Sequence, residues 1–492
     1  MTLRELLAGV PVLSIKGDLS LPIPQITDDS REVQPGSLFV ASEGPVLDGH
    51  VFVPEALKKG ASAVLFEKPF PFPSSVATIQ VHDARETLSL LAANFYGRPA
   101  ESLDLVGITG TNGKTTVSYL VEAIFRESGK KVARIGTIDY QIGSRSLPSH
   151  NTTPGALFLH RLFREMVEEA VTHGVMEVSS HALEQKRIFG VPLRAAVFTN
   201  LTQDHLDYHR SLEDYFEAKL RLFRPLSPHS WAIVNRDDPR GEVVEKATEA
   251  RVLTYGLKED AVLRPQGVTI DREGFSCDLK GPFGSFSIRS SLVGVHNVAN
   301  VLAAIGVGLS QGIPIETIAK AIASVRGVPG RLEAIRTGQP YEIFVDYAHT
   351  EEALRQALTS LRSHVKRRLI VVFGCGGDRD WTKRPKMGEV ASRLSDWVIV
   401  TSDNPRNEDP HSIMEMVVSG FPSTFSSYEA VEDRAEAIGK ALEMAEEGDL
   451  VLIAGKGHET TQVVKGLALP FDDRQVVREI LSKRSQSVKC VG

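Results

Sequence analysis

The chain has 492 residues, of which 42% are hydrophobic and 24% are charged, as in an ordinary soluble globular protein. At roughly 150 residues per domain, this length predicts about three domains. The formal net charge of −6, from 56 basic and 62 acidic side chains, excludes a general attraction to nucleic acid or to anionic membranes, so local groups must hold any anionic substrate.

Residues 1–90 are predicted to form a small α/β domain. Two short apolar strands, SLFVA (37–41) and SAVLF (62–66), flank the helical segment VPEALKKG. The N-terminus carries acidic Glu5 and lacks a basic stretch before an apolar core, so no signal peptide is expected. No apolar run approaches the roughly 18 residues of a membrane span. The three cysteines lie far apart, which fits a reducing compartment, and we expect a cytoplasmic protein.

Residues 91–330 open with a strand, LDLVGI (103–108), and a helix that ends before Gly129. Apolar residues recur in this helix at the spacing of one helical face, and the strand KVARIGTI (131–138) follows it. A strand, a helix and a second strand of this kind form a βαβ unit, which predicts a parallel sheet. Further strands are predicted at GVMEV (174–178), AAVFT (195–199) and SWAIV (230–234), and a helix from Asn297 to about Gly312.

The turn between the first strand and helix, TGTNGKTT (109–116), has the composition of a phosphate-binding loop. In such a turn, backbone N–H groups and a helix N-terminus face the anion. Lys114 can reach the β- and γ-phosphates of a nucleotide, and the Thr115 hydroxyl can ligate Mg²⁺. The alternative is a tight strand–helix turn with an exposed lysine. The common P-loop needs glycine at the position of Ile108, so this turn is not of the motor, GTPase or transporter type.

Three further side chains are candidates for metal binding. Glu177 ends a predicted strand, and its carboxylate suits Mg²⁺, which prefers oxygen ligands and substrate phosphates. His205 follows another strand, next to Asp204, and its alternative is a hydrogen-bonded loop histidine. Lys219 lies on a predicted helix, where composition alone predicts a solvated lysine.

Residues 331–492 alternate strands and helices again and are predicted to form a Rossmann-like domain. Because ligands bind at the carboxyl ends of parallel strands, three turns at such ends are expected to share one crevice. These turns are GCGGDRD (374–380), SDNPR (402–406) and GKGHE (455–459).

The turn TGTNGKT resembles the P-loop of the Mur ligases and the folylpolyglutamate synthetases, which are three-domain, ATP-dependent enzymes that form amides. The resemblance implies an α/β fold with a small N-terminal domain, a central P-loop ATPase domain and a C-terminal Rossmann-like domain. It implies ATP and Mg²⁺ as cofactors, and carbamylation of Lys219 by CO₂ to supply oxygens to a second metal. Asp346 is one of the residues that the resemblance places near ATP, and its alternative role is a helix cap before Glu351. The residues that the resemblance places near ATP are Gly110, Thr111, Asn112, Gly113, Lys114, Thr115, Thr116, His296, Asn297, Asn300, Arg331 and Asp346.

Within the Mur ligases, DSREVQPGSLFVA (29–41) resembles the opening of the tripeptide synthetases of peptidoglycan precursor assembly. The implied substrate is UDP-MurNAc-L-Ala-D-Glu. The guanidinium group of Arg187 can donate two hydrogen bonds to the second carboxylate of an acyl-D-glutamate. Without the resemblance, this residue would be interpreted as a surface arginine. The implied contacts with this substrate are Ser30, the loop Pro45, Val46 and Leu47, then Asn151, Thr152, Thr153, Ser179, Gln185 and Arg187.

The tetrapeptide DNPR (403–406) resembles the tripeptide synthetases that add meso-2,6-diaminopimelate. Arg406 can bind the distal carboxylate, which L-lysine lacks, and Asp403 can bind the distal ammonium. The alternative is a proline-containing turn, which explains the shape but not the arginine. Trp381 and Thr382 stand where Lys-Gly is usual in this family. The implied contacts with the amino acid are Arg379, Asp403, Asn404, Pro405, Arg406, Gly455 and Glu459.

The expected reaction has two steps. The γ-phosphoryl of ATP passes to the D-glutamyl γ-carboxylate, and the amine of meso-diaminopimelate then displaces phosphate from the acyl phosphate. We expect a monomer that binds no nucleic acid. The alternatives are a lysine-adding synthetase, a folylpolyglutamate synthetase, a ligase that attaches a preformed peptide, and a nucleotide-dependent switch without amide chemistry.

Overall fold

The computed structural model describes residues 1–44, 47–73, 75–271, 273–281 and 284–489. They form two compact units. The first comprises Met1–Thr109, Lys130–Ala196 and Ala218–Ser230, and the second comprises Gly110–Gly129, Val197–Glu217 and the chain from Trp231 onward. The domain boundaries predicted at residues 90 and 330 stay predictions.

The N-terminal part of the first unit is a five-stranded sheet in the order β1-β5-β4-β3-β2, parallel except for the β1–β5 pair. The strands predicted at 37–41 and 62–66 are confirmed as β3 and β4, whose residues are all buried. The elements are α1 (Leu3–Leu6), β1 (Ser14–Lys16), β2 (Ile26–Thr27), β3 (Leu38–Ala41), α2 (Val53–Lys58), β4 (Ala63–Phe66), β5 (Ala77–Gln80) and α3 (Ala84–Phe95).

The middle of the chain alternates strands and helices, as predicted. Its elements are β6 (Asp104–Thr109), α4 (Lys114–Glu127), β7 (Val132–Ile135), β8 (Asp139–Ile142), β9 (Arg145–Pro148), α5 (Ala156–Glu168), β10 (His173–Glu177), α6 (Ser180–Glu184), β11 (Ala195–Phe198), α7 (Leu212–Leu220), β12 (Trp231–Asn235), α8 (Gly241–Lys246), β13 (Arg251–Tyr255), β14 (Arg264–Asp271), β15 (Gly274–Gly281), β16 (Gly284–Ser290), α9 (His296–Ser310) and α10 (Ile315–Ser324).

The predicted parallel sheet is confirmed. In the first unit, β6, β10 and β7 pair in parallel, and β8 and β9 extend the same sheet as antiparallel strands. In the second unit, β12 and β13 pair in parallel, α4 packs against α9 and α10, and β14, β15 and β16 form a separate antiparallel sheet. The carboxyl ends of β6 and β10 therefore lie side by side, at Thr109 and Glu177.

The C-terminal part forms a six-stranded sheet in the order β17-β18-β22-β19-β20-β21, parallel except for β17. Helices cover both faces, so its central strands are continuous apolar runs, and each fully buried Val, Leu or Ile contributes about 1.5–3 kcal/mol. The elements are β17 (Glu333–Ala334), β18 (Glu342–Asp346), α11 (Glu351–Arg362), β19 (Leu369–Phe373), α12 (Lys383–Leu394), β20 (Trp397–Thr401), α13 (Pro410–Val418), β21 (Tyr428–Val431), α14 (Arg434–Met444), β22 (Leu450–Ala454), β23 (Thr461–Val464), β24 (Leu467–Pro470) and α15 (Asp473–Lys489).

Candidate functional site

The phosphate turn leads directly into the N-terminus of α4. Gly113 has φ +89°, a left-handed conformation, and a Cβ there would lie 2.3 Å from Asn300 Oδ1. Only glycine fits this position without displacing the asparagine. The helix begins at the next residue, Lys114, so the positive end of its dipole lies at the turn. This is the geometry of an anion site at a helix N-terminus.

Residues 199–202 hold the turn from one side. The N–H groups of Thr111 and Asn112 donate to Asn200 O and Asn200 Oδ1, each at 2.9 Å. The Thr199 hydroxyl donates to Asn112 O at 2.6 Å. These two amides are therefore engaged within the protein, whereas the sequence led us to expect them to face phosphate. The geometry of an anion site is found instead at the start of α4.

Lys114 folds back onto the turn. Its Nζ donates to Gly110 O at 2.9 Å and to Thr111 O at 2.8 Å. The side chain is half-buried, so the alternative of an exposed lysine is wrong. A nucleotide phosphate would replace these two neutral carbonyl acceptors with charged oxygens, which form stronger hydrogen bonds to an ammonium.

Arg331 joins the segment after α10 to the phosphate turn. Its Nη2 donates to Thr115 Oγ1 at 3.1 Å, and its guanidinium carbon lies 4.6 Å from the centre of the Tyr347 ring. In α9, Asn300 Nδ2 donates to Asn297 Oδ1 at 2.9 Å, and both asparagines are buried. The structure thus brings together most of the residues predicted to contact ATP.

Asp346 ends β18 and turns toward the segment that precedes it. Its carboxylate accepts from Leu332 N at 2.6 Å and from Ala348 N at 2.9 Å. Burial raises the pKa of this carboxyl, although Arg331 and these two N–H groups oppose the rise. The alternative role as a helix cap is wrong, because Thr350 caps α11 and accepts from Ala353 N.

A cleft of about 150 Å³ lies in the second unit at the carboxyl ends of β18, β19, β20 and β22. The prediction that the three C-terminal turns share one crevice is confirmed. Pro405 is absent from the lining, and His205, predicted as a metal ligand, is part of it. The predicted amino-acid contacts that line the cleft are Arg379, Asp403, Asn404, Arg406, Gly455 and Glu459.

Arg406 is fixed at this cleft by its backbone. Its N–H donates to Val463 O at 3.0 Å, its carbonyl accepts from Lys465 N at 2.6 Å, and its φ of +51° is left-handed. Its Nη1 donates to Gly377 O at 2.7 Å. The Arg406 side chain is half-buried. Leaving its charge without a ligand therefore costs less than the several kcal/mol expected of a buried arginine.

A buried lysine, which the sequence analysis missed, organises the far wall of the cleft. Lys456 is fully buried, and its Nζ donates to Asn404 Oδ1 at 3.0 Å and to Glu459 Oε2 at 2.9 Å. Asn404 Nδ2 also donates to Glu459 Oε2, at 2.8 Å. Gly455 allows Asp403 to approach closely, since a Cβ there would lie 2.5 Å from Asp403 Oδ2. The carboxylates of Asp403 and Glu459 are thus held in defined positions.

Asp204 carries the negative charge at the opposite wall. Its Oδ2 lies 3.5 Å from His205 Nε2 and 3.9 Å from His349 Nε2. Burial alone would raise the pKa of Asp204, but His205, His349 and Lys383 outweigh it and lower the pKa to about 2. Burial and Lys383 lower the pKa of His349. The alternative of a hydrogen-bonded loop histidine stays open for His205, which also has a left-handed φ of +55°.

In the first unit, Glu177 ends β10 with a fully buried carboxylate. Thr137 donates to both of its oxygens, through N–H to Oε1 and through Oγ1 to Oε2, each at 2.9 Å. The Thr153 hydroxyl donates to Glu177 O at 2.8 Å. The Thr137 and Thr152 hydroxyl oxygens lie 3.1 Å apart. The segment predicted to contact the muramoyl peptide is therefore bonded to the predicted metal ligand.

Arg187 supports this segment. Its Nη1 donates to Thr153 O at 2.6 Å, and its Nη2 donates to Gln185 Oε1 at 2.7 Å. It is half-buried, so the surface alternative is wrong. Ser179 caps α6 by accepting from Ala182 N. In this structure the arginine fork contacts protein oxygens, and its predicted role toward a substrate carboxylate stays a prediction.

The remaining predicted contacts with the muramoyl peptide substrate lie elsewhere in the first unit. Ser30 is buried, and its hydroxyl donates to Glu55 Oε2 at 2.9 Å. Asn151 O accepts from the Tyr140 hydroxyl at 2.6 Å. Pro45 and Val46 lie outside the described residues.

Lys219 is only 1% exposed in the last turn of α7, so the alternative of a solvated lysine is wrong. Among the residues that the structure describes, no three acidic, histidine or cysteine side chains form a group that could hold a metal ion. Mg²⁺ is commonly held by one or two protein oxygens and by substrate phosphates. The Thr115 hydroxyl and the Glu177 carboxylate are oxygen donors of this kind.

Three regions of the chain match known domains. Residues 22–96 match the Mur ligase family, catalytic domain; residues 108–308 match the Mur ligase middle domain; and residues 330–457 match the Mur ligase glutamate ligase domain. A relative from Geobacillus thermodenitrificans (strain NG80-2), a UDP-N-acetylmuramoyl-L-alanyl-D-glutamate–2,6-diaminopimelate ligase, is 44% identical over 490 residues, which span 98% of this chain and 100% of the relative. The chain belongs to the Mur ligase family.

Solved structures agree with this membership. A solved structure of a UDP-N-acetylmuramoyl-L-alanyl-D-glutamate–2,6-diaminopimelate ligase is 33% identical in sequence to this Mur ligase and has a TM-score of 0.71. The match covers 99% of each of the two chains. A folylpolyglutamate synthase from Mycobacterium tuberculosis is 20% identical, with a TM-score of 0.63 over 76% of this chain and 93% of its own, which shows a similar fold. The predicted α/β, three-domain fold class is confirmed.

The sequence analysis missed several residues of this Mur ligase that line the cleft or support the site. Tyr347 and His349 follow β18 within the DYAHT motif, and Lys383 begins α12 directly after GDRDWT. Tyr347 and His349 lie just after the end of a strand, and this position could have identified them as site residues.

No described helix has the length and apolar character needed to cross a membrane.

Proposed function

We propose that this Mur ligase adds meso-2,6-diaminopimelate to the D-glutamyl γ-carboxylate of UDP-MurNAc-L-Ala-D-Glu, with ATP as the energy source, in peptidoglycan precursor synthesis. The observation that supports this most directly is the cleft at the carboxyl ends of the C-terminal sheet. It combines the guanidinium groups of Arg379 and Arg406 with the carboxylates of Asp403 and Glu459. Diaminopimelate carries two carboxylates and two ammonium groups, and this lining offers a partner for each charge.

In the first step, the γ-phosphoryl group of ATP passes to the D-glutamyl carboxylate, forming an acyl phosphate and releasing ADP. The start of α4 and Lys114 stabilise the charge on the phosphates, and Arg331 closes over Thr115. Mg²⁺, when bound by the Thr115 hydroxyl and Glu177, with His205 and a carbamate on Lys219 as further candidate ligands, would supply Lewis-acid stabilisation of the phosphoryl oxygens.

In the second step, the amine of diaminopimelate forms a bond to the acyl carbon, the carbon–oxygen bond to phosphate breaks, and the amine proton passes to a phosphate oxygen. Arg406 and Arg379 hold the carboxylates of the incoming amino acid, and Asp403 and Glu459 face its ammonium group. The distal carboxylate distinguishes diaminopimelate from L-lysine, because only the former gives Arg406 an anionic partner.

A product assay tests the proposal. The protein is supplied with UDP-MurNAc-L-Ala-D-Glu, ATP and Mg²⁺, together with either meso-diaminopimelate or L-lysine, and the tripeptide product is measured by mass. We expect product with diaminopimelate at a rate at least 100-fold above that with lysine. Equal use of both amines would contradict the role of Arg406, and phosphate release without any amide product would indicate a nucleotide switch.

A further inference from the structure

Thr137 occupies an unusual position between the end of β7 and the start of β8. It donates two hydrogen bonds of 2.9 Å to one carboxylate, from its backbone N–H to Glu177 Oε1 and from its hydroxyl to Glu177 Oε2. Glu177 is completely buried at the end of β10. The two bonds from Thr137 therefore constrain both the rotation and the tilt of this carboxylate.

The hydroxyl of Thr137 has a single proton, which sets the direction of the neighbouring bond. Since that proton is donated to Glu177, Thr137 Oγ1 can only accept from Thr152 Oγ1, 3.1 Å away. The result is a directed chain of donors that runs from Thr152 through Thr137 to Glu177. Bonds in such chains polarise and strengthen one another, most strongly when they end on a charge.

A second connection runs beside the first. Thr153 donates its hydroxyl proton to Glu177 O at 2.8 Å, and the same hydroxyl accepts from Ser179 N at 3.0 Å. The segment 151–153 is thus bonded directly to the backbone of Glu177 and, through Thr137, to its side chain. A shift of that segment by a bound substrate must alter at least one of these bonds.

We infer that Thr137 is a positioning residue, which orients the Glu177 carboxylate for Mg²⁺ and couples it to the occupancy of the segment 151–153 by the muramoyl peptide. The inference rests on the proposed role of Glu177. Hydrogen-bond donors to a metal-ligating carboxylate set its orientation and basicity, and their removal typically weakens metal binding 10–100-fold.

The test compares Thr137→Val, which keeps the shape and the backbone N–H, with Thr137→Ser, which keeps the hydroxyl. Mn²⁺ affinity is measured by electron paramagnetic resonance with a non-hydrolysable ATP analogue, and the Mg²⁺ concentration for half-maximal ligase rate is measured alongside. We expect about 10-fold weaker metal binding in T137V and near-normal binding in T137S. Thr172→Val, at an exposed threonine before β10, is the matched control and should bind normally.

Thr152→Val tests the coupling while leaving both bonds from Thr137 to Glu177 in place. In the wild type, UDP-MurNAc-L-Ala-D-Glu should change the Mn²⁺ affinity, and Mn²⁺ should change the affinity for that substrate by the same factor. We expect T152V to reduce this factor toward one. Equal metal affinity in T137V and wild type, or an undiminished coupling factor in T152V, overturns the inference.

Glu177→Gln separates this inference from the function on which it rests. If E177Q retains wild-type Mn²⁺ affinity, the proposed role of Glu177 fails. If E177Q loses metal binding but T137V does not, only the role of Thr137 fails. In the E177Q background, T137V should cause no further loss, because its effect acts through the carboxylate.

Discussion

At the scale of single residues, the amino-acid cleft is defined by a few charged side chains held by their neighbours. Arg406 has its backbone bonded on both sides and one guanidinium nitrogen on Gly377 O. Asp403 approaches Gly455 at a distance that no Cβ would permit. The specificity expected of this cleft therefore depends on preorganised charges and not on a large apolar surface.

Arg406→Ala should reduce kcat/KM for meso-diaminopimelate about 100-fold, because a charge-assisted pair with the distal carboxylate contributes roughly 1.5–3 kcal/mol. Affinity for an ATP analogue should change less than twofold. Steady-state kinetics and a fluorescent-nucleotide titration check both expectations. Arg393→Ala, at a 67% exposed arginine on α12, is the control and should match the wild type. An unchanged kcat/KM in R406A would exclude the arginine from substrate recognition.

The sequence predicted the cleft residues correctly where several charged or polar side chains lie in one short motif. GCGGDRD, DNPR and GKGHE led to six residues of one cleft because strand ends in a parallel sheet converge. Thr137 and Lys456 could not be predicted in the same way. Each acts by contacting a residue from a distant strand or turn, and nothing in a local pattern records such a contact.

At the scale of elements, hydrophobic pattern predicted the buried strands well and the exposed ones poorly. The strands β3, β4, β10 and β11 are runs of buried residues, and each was predicted from its apolar sequence. In contrast, β9 and most of β14 are exposed on both faces, so they lack the apolar alternation that identifies a strand. The sheet of β14, β15 and β16 was not predicted, although buried Phe275, Cys277 and Leu279 alternate with exposed residues along β15.

Two glycines that flank helix α4 allow a test of whether the start of this helix binds the nucleotide. Gly113 precedes the helix and Gly129 follows it, and both have left-handed φ angles, +89° and +78°. A Cβ at Gly113 meets Asn300 Oδ1 at 2.3 Å, whereas one at Gly129 meets no atom within 4 Å. Alanine at either site therefore incurs about 1–2 kcal/mol of backbone strain, but only one site also has a steric clash.

Gly113→Ala should lower the affinity for an ATP analogue at least 10-fold, because the clash displaces Asn300 and the helix start together. Gly129→Ala should lose a similar or slightly smaller amount of stability and bind the nucleotide normally. Isothermal titration and thermal unfolding separate the two effects. Normal nucleotide binding by G113A would show that the start of α4 tolerates displacement and would weaken its assignment as the anion site.

At the scale of the whole molecule, family matches and compact units divide the chain differently. The Mur ligase domains follow one another at 22–96, 108–308 and 330–457, whereas the segments 110–129 and 197–217 belong to the same compact unit as the C-terminal sheet. Composition marks a boundary only where the residue types along the chain change. It cannot show which packed surface a central segment joins, because that depends on contacts between distant parts of the chain.

Both compact units contain histidines whose pKa is lowered by burial. Burial lowers the pKa of His160 to about 4 in the first unit, and burial lowers the pKa values of His296 to about 4 and of His458 to about 3 in the second. His160 is 1% exposed and packs against Phe163 in α5. Each of these groups has a lower pKa in the folded than in the unfolded state, so each makes folding depend on pH in the same direction.

The direction of this pH dependence follows from the state, folded or unfolded, that binds more protons. Between pH 6.5 and 4 the unfolded chain binds a proton at His160 that the folded chain does not, so the free energy of unfolding falls as the pH falls. Above pH 6.5 the residue makes no pH-dependent contribution. At about 1.4 kcal/mol per pH unit, His160 alone should account for roughly 3 kcal/mol across this window.

His160→Phe should remove that contribution. The free energy of unfolding of H160F minus that of the wild type should therefore be constant above pH 6.5 and should rise by up to about 3 kcal/mol as the pH falls from 6.5 to 4. Urea unfolding at several pH values measures the difference. His229→Gln, at an exposed histidine, should leave the pH dependence unchanged. A pH-independent difference for H160F would show that the imidazole of His160 becomes protonated as readily in the folded protein as in the unfolded chain.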